Sequence, residues 1–88
     1  PTETELNNER LSWSTNNSAG AYASPLKLPV AGARYNQDGS LGDTGSNGYY
    51  WNSTVDGTSA KALNFYGTDA GMFSTNRSGG YSVRCIKD

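Results

Sequence analysis

The chain contains no histidine, so the side chain that most often serves as general base and metal ligand near neutral pH is missing. Five Asp and three Glu are present, but turns separate them and no obvious acid–base pair results. Cys85 is the only cysteine. A lone cysteine is either a small buried hydrophobe or half of a disulfide whose partner lies elsewhere. The catalytic set is read as empty and the chain as a non-enzyme. Oxygen donors for a hard cation occur at Asp56-Gly57-Thr58 and Asp69. No acidic cluster accompanies them, so the expectation is no metal site and no cofactor, with calcium the one candidate.

The remaining residue types suit contact better than reaction. Tyr and Arg offer large area with polar ends, the usual material of binding surfaces. Tyr66, Asp69, Phe73, Asn76 and Arg77 lie in or beside a stretch bounded by Gly67 and Gly80. That stretch is read as a loop too long for a hairpin turn, and long loops in small domains are often functional. Its bland alternative is a solvated loop without a partner. Tyr50 and Asn52 alternate with Trp51, so if Trp51 faces inward they face outward and join the ligand- or partner-binding set. Asn16, Asn52 and Asn76 each open an Asn-x-Ser/Thr triplet, the acceptor pattern for N-glycosylation, which an Asn- and Ser-rich chain also contains by chance.

The elements that must position these residues are few. Thr2-Glu3-Thr4-Glu5 fits a capping box, and Leu6 and Trp13, seven apart, share a helical face, so a helix is predicted over 3–12. Gly20 is expected to break any continuation. Pro25–Val30 alternates apolar and polar residues and reads as a short edge strand, since Pro29 cannot donate to a ladder. Residues 32–48 are rich in turn signals, including Asp38-Gly39 and Asn47-Gly48. Tyr49–Thr54 and Ala60–Tyr66 read as strands joined at Asp56-Gly57 in a hairpin. Tyr81–Ile86 reads as a closing strand with Tyr81, Val83 and Cys85 on one face. Trp51, Leu63, Phe65, Val83 and Tyr81 are the predicted core beneath the helix.

Bulk properties narrow the partners. Eighty-eight residues make a single domain. The formal charge is −1 with no basic stripe, which disfavours nucleic acid, whose binding rests on phosphate neutralisation. No apolar run approaches the roughly 20 residues of a membrane span, so no direct membrane insertion is expected.

Four runs carry a resemblance: Leu28-Pro29-Val30-Ala31-Gly32; Asp38-Gly39-Ser40-Leu41; Gly45-Ser46-Asn47-Gly48-Tyr49-Tyr50-Trp51-Asn52-Ser53-Thr54; and Gly80-Tyr81-Ser82-Val83-Arg84-Cys85-Ile86-Lys87-Asp88. With the opening Pro1-Thr2-x-x-Glu5, their order resembles the Fibrobacter succinogenes major paralogous domain over essentially the whole chain. That family occurs in secreted and surface proteins of Bacteroidetes and related bacteria, and is similar to the C-type lectin-like fold that also carries retroelement-diversified variable proteins. The resemblance implies an α+β fold with one N-terminal helix on a small twisted antiparallel sheet, long loops to one side, and an extracellular or cell-surface location. It implies a core position for Trp51, and it places variable residues between the Trp-containing strand and the last strand, where Asn64, Tyr66, Asp69, Phe73, Asn76 and Arg77 stand.

One departure matters. The family's Cys-Pro-x-Gly-[Tyr/Trp]-Arg segment does not precede Pro1 here. The resemblance therefore implies a domain without its first N-terminal segment, with the disulfide partner of Cys85 in that segment or in a neighbouring subunit. The formylglycine-generating enzymes of the same fold class need two active-site cysteines, and calcium-dependent lectins a Glu-Pro-Asn loop; this chain has neither. The expected function is a recognition or adhesion module of a bacterial surface protein or phage-type fibre, with a protein or glycan ligand. The alternative is a structural subunit of a self-assembling extracellular filament, a homopolymer completed by its neighbours.

Overall fold

A computed structural model describes residues 1–35 and 37–85. Helix α1 spans Glu3–Ser12, α2 Ser18–Ala23, and the strands are β1 Ala33–Arg34, β2 Leu41–Gly42, β3 Gly48–Asp56, β4 Ser59–Phe65 and β5 Ala70–Thr75. The class is α+β, with α1 laid across an antiparallel sheet of order β3-β4-β5 and a two-residue ladder of β1 and β2 beside it.

Helix α1 forms as its cap dictates. Thr2 Oγ1 accepts from the Glu5 amide at 3.2 Å, and Glu5 Oε1 accepts from the Thr2 amide at 2.9 Å. These bonds favour the ionised carboxylate and hold the Glu5 pKa below its ordinary value. At 100° per residue, Leu6 and Trp13 fall within about 20° of each other while Leu11 falls on the flank; Leu6 and Trp13 are buried and Leu11 is exposed. Replacing Thr2 by Ala should cost about 1 kcal/mol through loss of the cap. Thermal denaturation should register it as a lower midpoint with an unchanged native spectrum.

Gly20 does not end the helical region. It sits inside α2, because Asn17 caps that helix by accepting from the Gly20 amide at 2.9 Å. Thr15 carbonyl oxygen occupies the space where a Cβ on residue 20 would go. Glycine here permits close approach of the preceding turn, which outweighs its small penalty in so short a helix.

Three strand expectations are corrected. Pro25–Val30 is not an edge strand: Lys27 adopts φ +52, and the Leu28 amide donates to Ala21 carbonyl at 3.2 Å. The alternating Leu26 and Leu28 reach the core from a turn folded back on α2, not from a pleat. Residues 67–80 are not one loop, since Ala70–Thr75 forms β5, paired with β4 from Phe65↔Ala70 to Ala60↔Thr75. Residues 81–85 form no strand; Ser82 makes a parallel bridge to Tyr50 and the segment then leaves the sheet, with Val83 exposed. Ile86, expected to close that strand, lies outside the described residues.

The predicted hairpin is present. Asp56 pairs with Ser59 across a loop begun by Gly57 at φ +56, a conformation that L side chains rarely adopt. The β3–β4 register slips between Trp51 and Val55. There β3 turns to the start of the chain instead: the Ser53 amide donates to Pro1 carbonyl at 2.8 Å and the Glu3 amide to Thr54 Oγ1 at 2.8 Å. The bulge thereby fixes where α1 begins.

One apolar cluster holds these parts: Leu6 and Trp13 of the helix region, Ala21, Leu28, and Tyr50, Leu63, Phe65 and Ala70 of the sheet. Phe65 is fully buried, stacked on Tyr50 (centroids 5.8 Å, 15°) and edge-on to Trp13 (5.8 Å, 82°). Two of the five expected core residues are therefore in the core. Leu63 and Phe65 belong to it; Trp51 and Tyr81 lie on the other side of the sheet, and Val83 is at the surface. Gly48 sets the phase of β3. It pairs with Phe65, whose ring fills the place of its missing side chain. Gly48 thus faces the core, and Tyr50 follows it inward two residues on.

Candidate functional site

The phase of β3 turns Tyr49 and Trp51 away from the helix. Their partners in register are Asn64 and Ala62, which in turn pair with Gly71 and Phe73. The centre of this outward face is small-sided, and aromatic rings fill the space. Tyr81 joins from the far edge, where Ser82 accepts from the Trp51 amide and donates to Tyr49 carbonyl, both at 3.0 Å. Its ring stacks on Trp51 (4.4 Å, 28°) and on Tyr49 (5.1 Å, 25°), and meets Phe73 at 6.0 Å. Tyr49 and Phe73 lie edge-to-face at 6.3 Å. The Tyr81 hydroxyl reaches Thr75 Oγ1 at 3.5 Å, so the side chain runs from the β3 edge to β5. All four aromatics remain half-buried.

Tyr49 is the polar anchor of this face. Its hydroxyl donates to Asp43 Oδ2 at 2.7 Å and accepts from Asn47 Nδ2 at 3.1 Å. Burial, followed by the bond to Asp43, pushes its pKa up to about 12. Burial also raises the pKa of Tyr50, whose hydroxyl donates to Pro29 carbonyl at 2.9 Å. Both groups bind their proton more tightly folded than unfolded. Their contribution to stability is therefore complete below the unfolded value near 10 and should fall, for Tyr49, as pH rises towards about 12. In a spectrophotometric titration the Tyr49 phenol should ionise near pH 12, as a late step that the Tyr49→Phe variant lacks. A titration curve unchanged by Tyr49→Phe above about pH 11 would refute the burial of this hydroxyl against Asp43.

The expected contact residues divide between the two ends of the sheet. Tyr66, Asp69 and Phe73 border one shallow depression of about 150 Å³ beside the β4–β5 turn. There the Asp69 backbone carbonyl accepts from the Tyr66 amide and its carboxylate from the Ala70 amide. Asn76 is exposed at the opposite end, on a depression of about 80 Å³ with Tyr35, Tyr49 and Tyr81. Arg77 is exposed, but its guanidinium is spent on the hairpin: Nη2 donates to Gly57 carbonyl at 2.8 Å and Nε to Ser59 carbonyl at 3.2 Å.

Tyr50 and Asn52 are not surface contacts as expected. Tyr50 is 4% exposed, in the core. Asn52 sits in the β3 bulge, its Oδ1 accepting from the Thr54 amide, and its Nδ2 is sealed from solvent without a partner. A glycan cannot be joined to a sealed nitrogen, so Asn52 is also removed as an acceptor. Of the other two triplets, Asn16 is half-buried with its carbonyl on Arg10 Nη1 at 2.9 Å, and Asn76 is open. Cys85, expected to be buried or bridged, is exposed and unpaired within the chain, because the closing segment does not lie over the core. The Asp56 carboxylate accepts from the Ser74 hydroxyl. Among the described residues, no three His, Cys, Asp or Glu gather where they could hold a metal ion.

Sequence reasoning missed Tyr35, Tyr49 and Tyr81 as surface groups and placed Trp51 inside. The consecutive aromatics Tyr49-Tyr50-Trp51 give alternation no apolar–polar contrast, so either phase fits. The glycine opposite Phe65 decides between them, and that pairing is a tertiary fact.

No helix among the described residues is long and apolar enough to cross a membrane. No curated protein and no solved structure matches the chain. A family model does match, over residues 2–86, that of a domain of unknown function, DUF8237. The chain belongs to the DUF8237 family.

Proposed function

We propose that the chain is a non-enzymatic, extracytoplasmic recognition or adhesion module, of C-type lectin-like fold, whose contact surface is the outward aromatic face of the sheet. One observation carries this reading: Tyr49, Trp51, Phe73 and Tyr81 form a continuous half-buried cluster with centroids 4.4–6.3 Å apart, opposite the helix-covered face. Each of the four rings is only partly buried, so the face keeps aromatic surface that a partner can cover. Rings with polar tips, held rigid by stacking, offer contact area at small entropic cost. The resemblance to the Fibrobacter paralogous domain and to diversified variable proteins supports display on a bacterial surface protein or phage-type fibre.

The test is adhesion. Beads coated with the native chain should adhere to some surface in a panel of extracellular glycans and proteins, and beads carrying Trp51→Ser should not, with circular dichroism showing both folded. Equal adhesion by the two would refute the assignment of the face.

A second reading, subunit of a filament, is favoured by a different feature. Strand β5 pairs only with β4 among the described residues, so its outer edge offers backbone donors and acceptors to another chain. Light scattering over a concentration series separates the two readings: a polymer grows, a monomeric module keeps its mass.

A further inference from the structure

Building on the recognition reading above, we propose that the depression between Tyr35, Tyr49 and Tyr81 is a subsite for one ring of an uncharged glycan, held without a metal ion. The size of the face is the first argument. Three strands across and about six residues long make roughly 14 by 20 Å, or about 280 Å². A stable protein interface takes about 800 Å² from each partner. The aromatic face alone is too small for a protein partner and the right size for a short oligosaccharide.

The lining is the second argument. The depression measures about 80 Å³, below the roughly 300–1,000 Å³ of enclosed small-molecule sites, so it takes one edge of a single ring while the rest of the glycan runs along Tyr81 and Trp51. The face of a sugar ring carries C–H groups that pack on aromatic π-faces. Its hydroxyls both donate and accept, and so do the Tyr35 phenol, the Thr75 hydroxyl and the Asn76 amide around the depression. Gly42 makes the seat for Tyr35: a Cβ there would collide with the Tyr35 ring.

Charge is the third argument. Among the described residues no carboxylate lines the depression, so the oxygen donors of a calcium-bridged sugar are absent there. The nearby Asp43 carboxylate accepts from the Tyr49 hydroxyl. The one cation, Arg34, donates Nη1 to Gly39 carbonyl at 2.6 Å, which turns that group from an anionic ligand to its own turn.

The experiment measures binding to immobilised uncharged oligosaccharides (gluco-, galacto-, manno- and xylo-oligosaccharides and N-acetylhexosamine oligomers) in EDTA. Native chain, Tyr35→Ala, Asn76→Ala and an α1 control, Asn8→Ala, are compared. At least one neutral oligosaccharide should be retained despite EDTA; each site variant should bind it about tenfold more weakly, the cost of one lost stacking or polar contact, and the control should match native. Absence of binding to every neutral oligosaccharide, abolition by EDTA, or indifference to both site variants would overturn the proposal. Acidic glycans and extracellular proteins are arrayed beside them. If the native chain holds only one of these and Trp51→Ser releases it, the glycan subsite falls and the recognition reading stands. If no surface retains the chain, both fall.

Discussion

Phe65→Ala should leave the chain barely folded, losing about 3–5 kcal/mol. A domain of this size has roughly 4–13 kcal/mol in all. Phe65 is fully buried, and three neighbours depend on its ring: Tyr50 stacked on one side, Trp13 edge-on, and Gly48 beneath. The rest of the cluster is Leu, Ala and rings, and only Leu26, Val30 and Met72 at its margin could shift towards the void. Urea denaturation followed by far-ultraviolet dichroism checks the loss directly. A midpoint within experimental scatter of native would mean that the core lies elsewhere.

The second large effect runs the other way, by addition of atoms. Gly48→Ala puts a methyl group where the Phe65 ring already lies. Overpacking of this kind costs about 1–3 kcal/mol, and the upper end is expected because a β-strand backbone on one side and a buried ring on the other leave no room to yield. The two changes should be strongly coupled. In the double variant Gly48→Ala/Phe65→Ala the new methyl occupies part of the cavity, so the combined loss should fall short of the sum by more than the ~0.5 kcal/mol scatter of independent sites. Strict additivity would show that residues 48 and 65 do not touch.

Helix α1 was legible because its signals are local: a capping box at Thr2 and Glu5, and two large apolar residues seven apart. The β3–β4 hairpin was legible for the same reason, since Asp56-Gly57 sits between two runs rich in strand-forming residues. Strand β5 was not. Ala70-Gly71-Met72-Phe73-Ser74-Thr75 has weak intrinsic strand preference and is a strand because β4 offers it an edge. The site suffered most from a single ambiguity of phase. Alternation along Tyr49-Tyr50-Trp51 is read correctly as alternation but cannot say which ring goes in, and a one-residue error exchanges the two faces. With the phase left open by the residues, the resemblance placed Trp51 in the expected core, and alternation then put Tyr50 and Asn52 into the expected contact set. Asn76 and Phe73 were identified from residue type and do border the outward face; Tyr35 and Tyr81 are brought there by segments whose placement depends on bridges to Ser40, Tyr49 and Trp51.

Every functional statement rests on a two-sided sheet, with one face sealed under α1 and the other carrying partly buried aromatic rings. The two tryptophans report on it separately, Trp13 from the core at 6% exposure and Trp51 from the outward face. Fluorine NMR of the chain labelled with 5-fluorotryptophan, with the resonances assigned through Trp51→Phe, measures the shift of each signal on exchange from H2O to D2O. The Trp51 signal should move with the solvent and the Trp13 signal should not. A Trp51 resonance as insensitive to D2O as that of Trp13 would place residue 51 in the core and contradict the account.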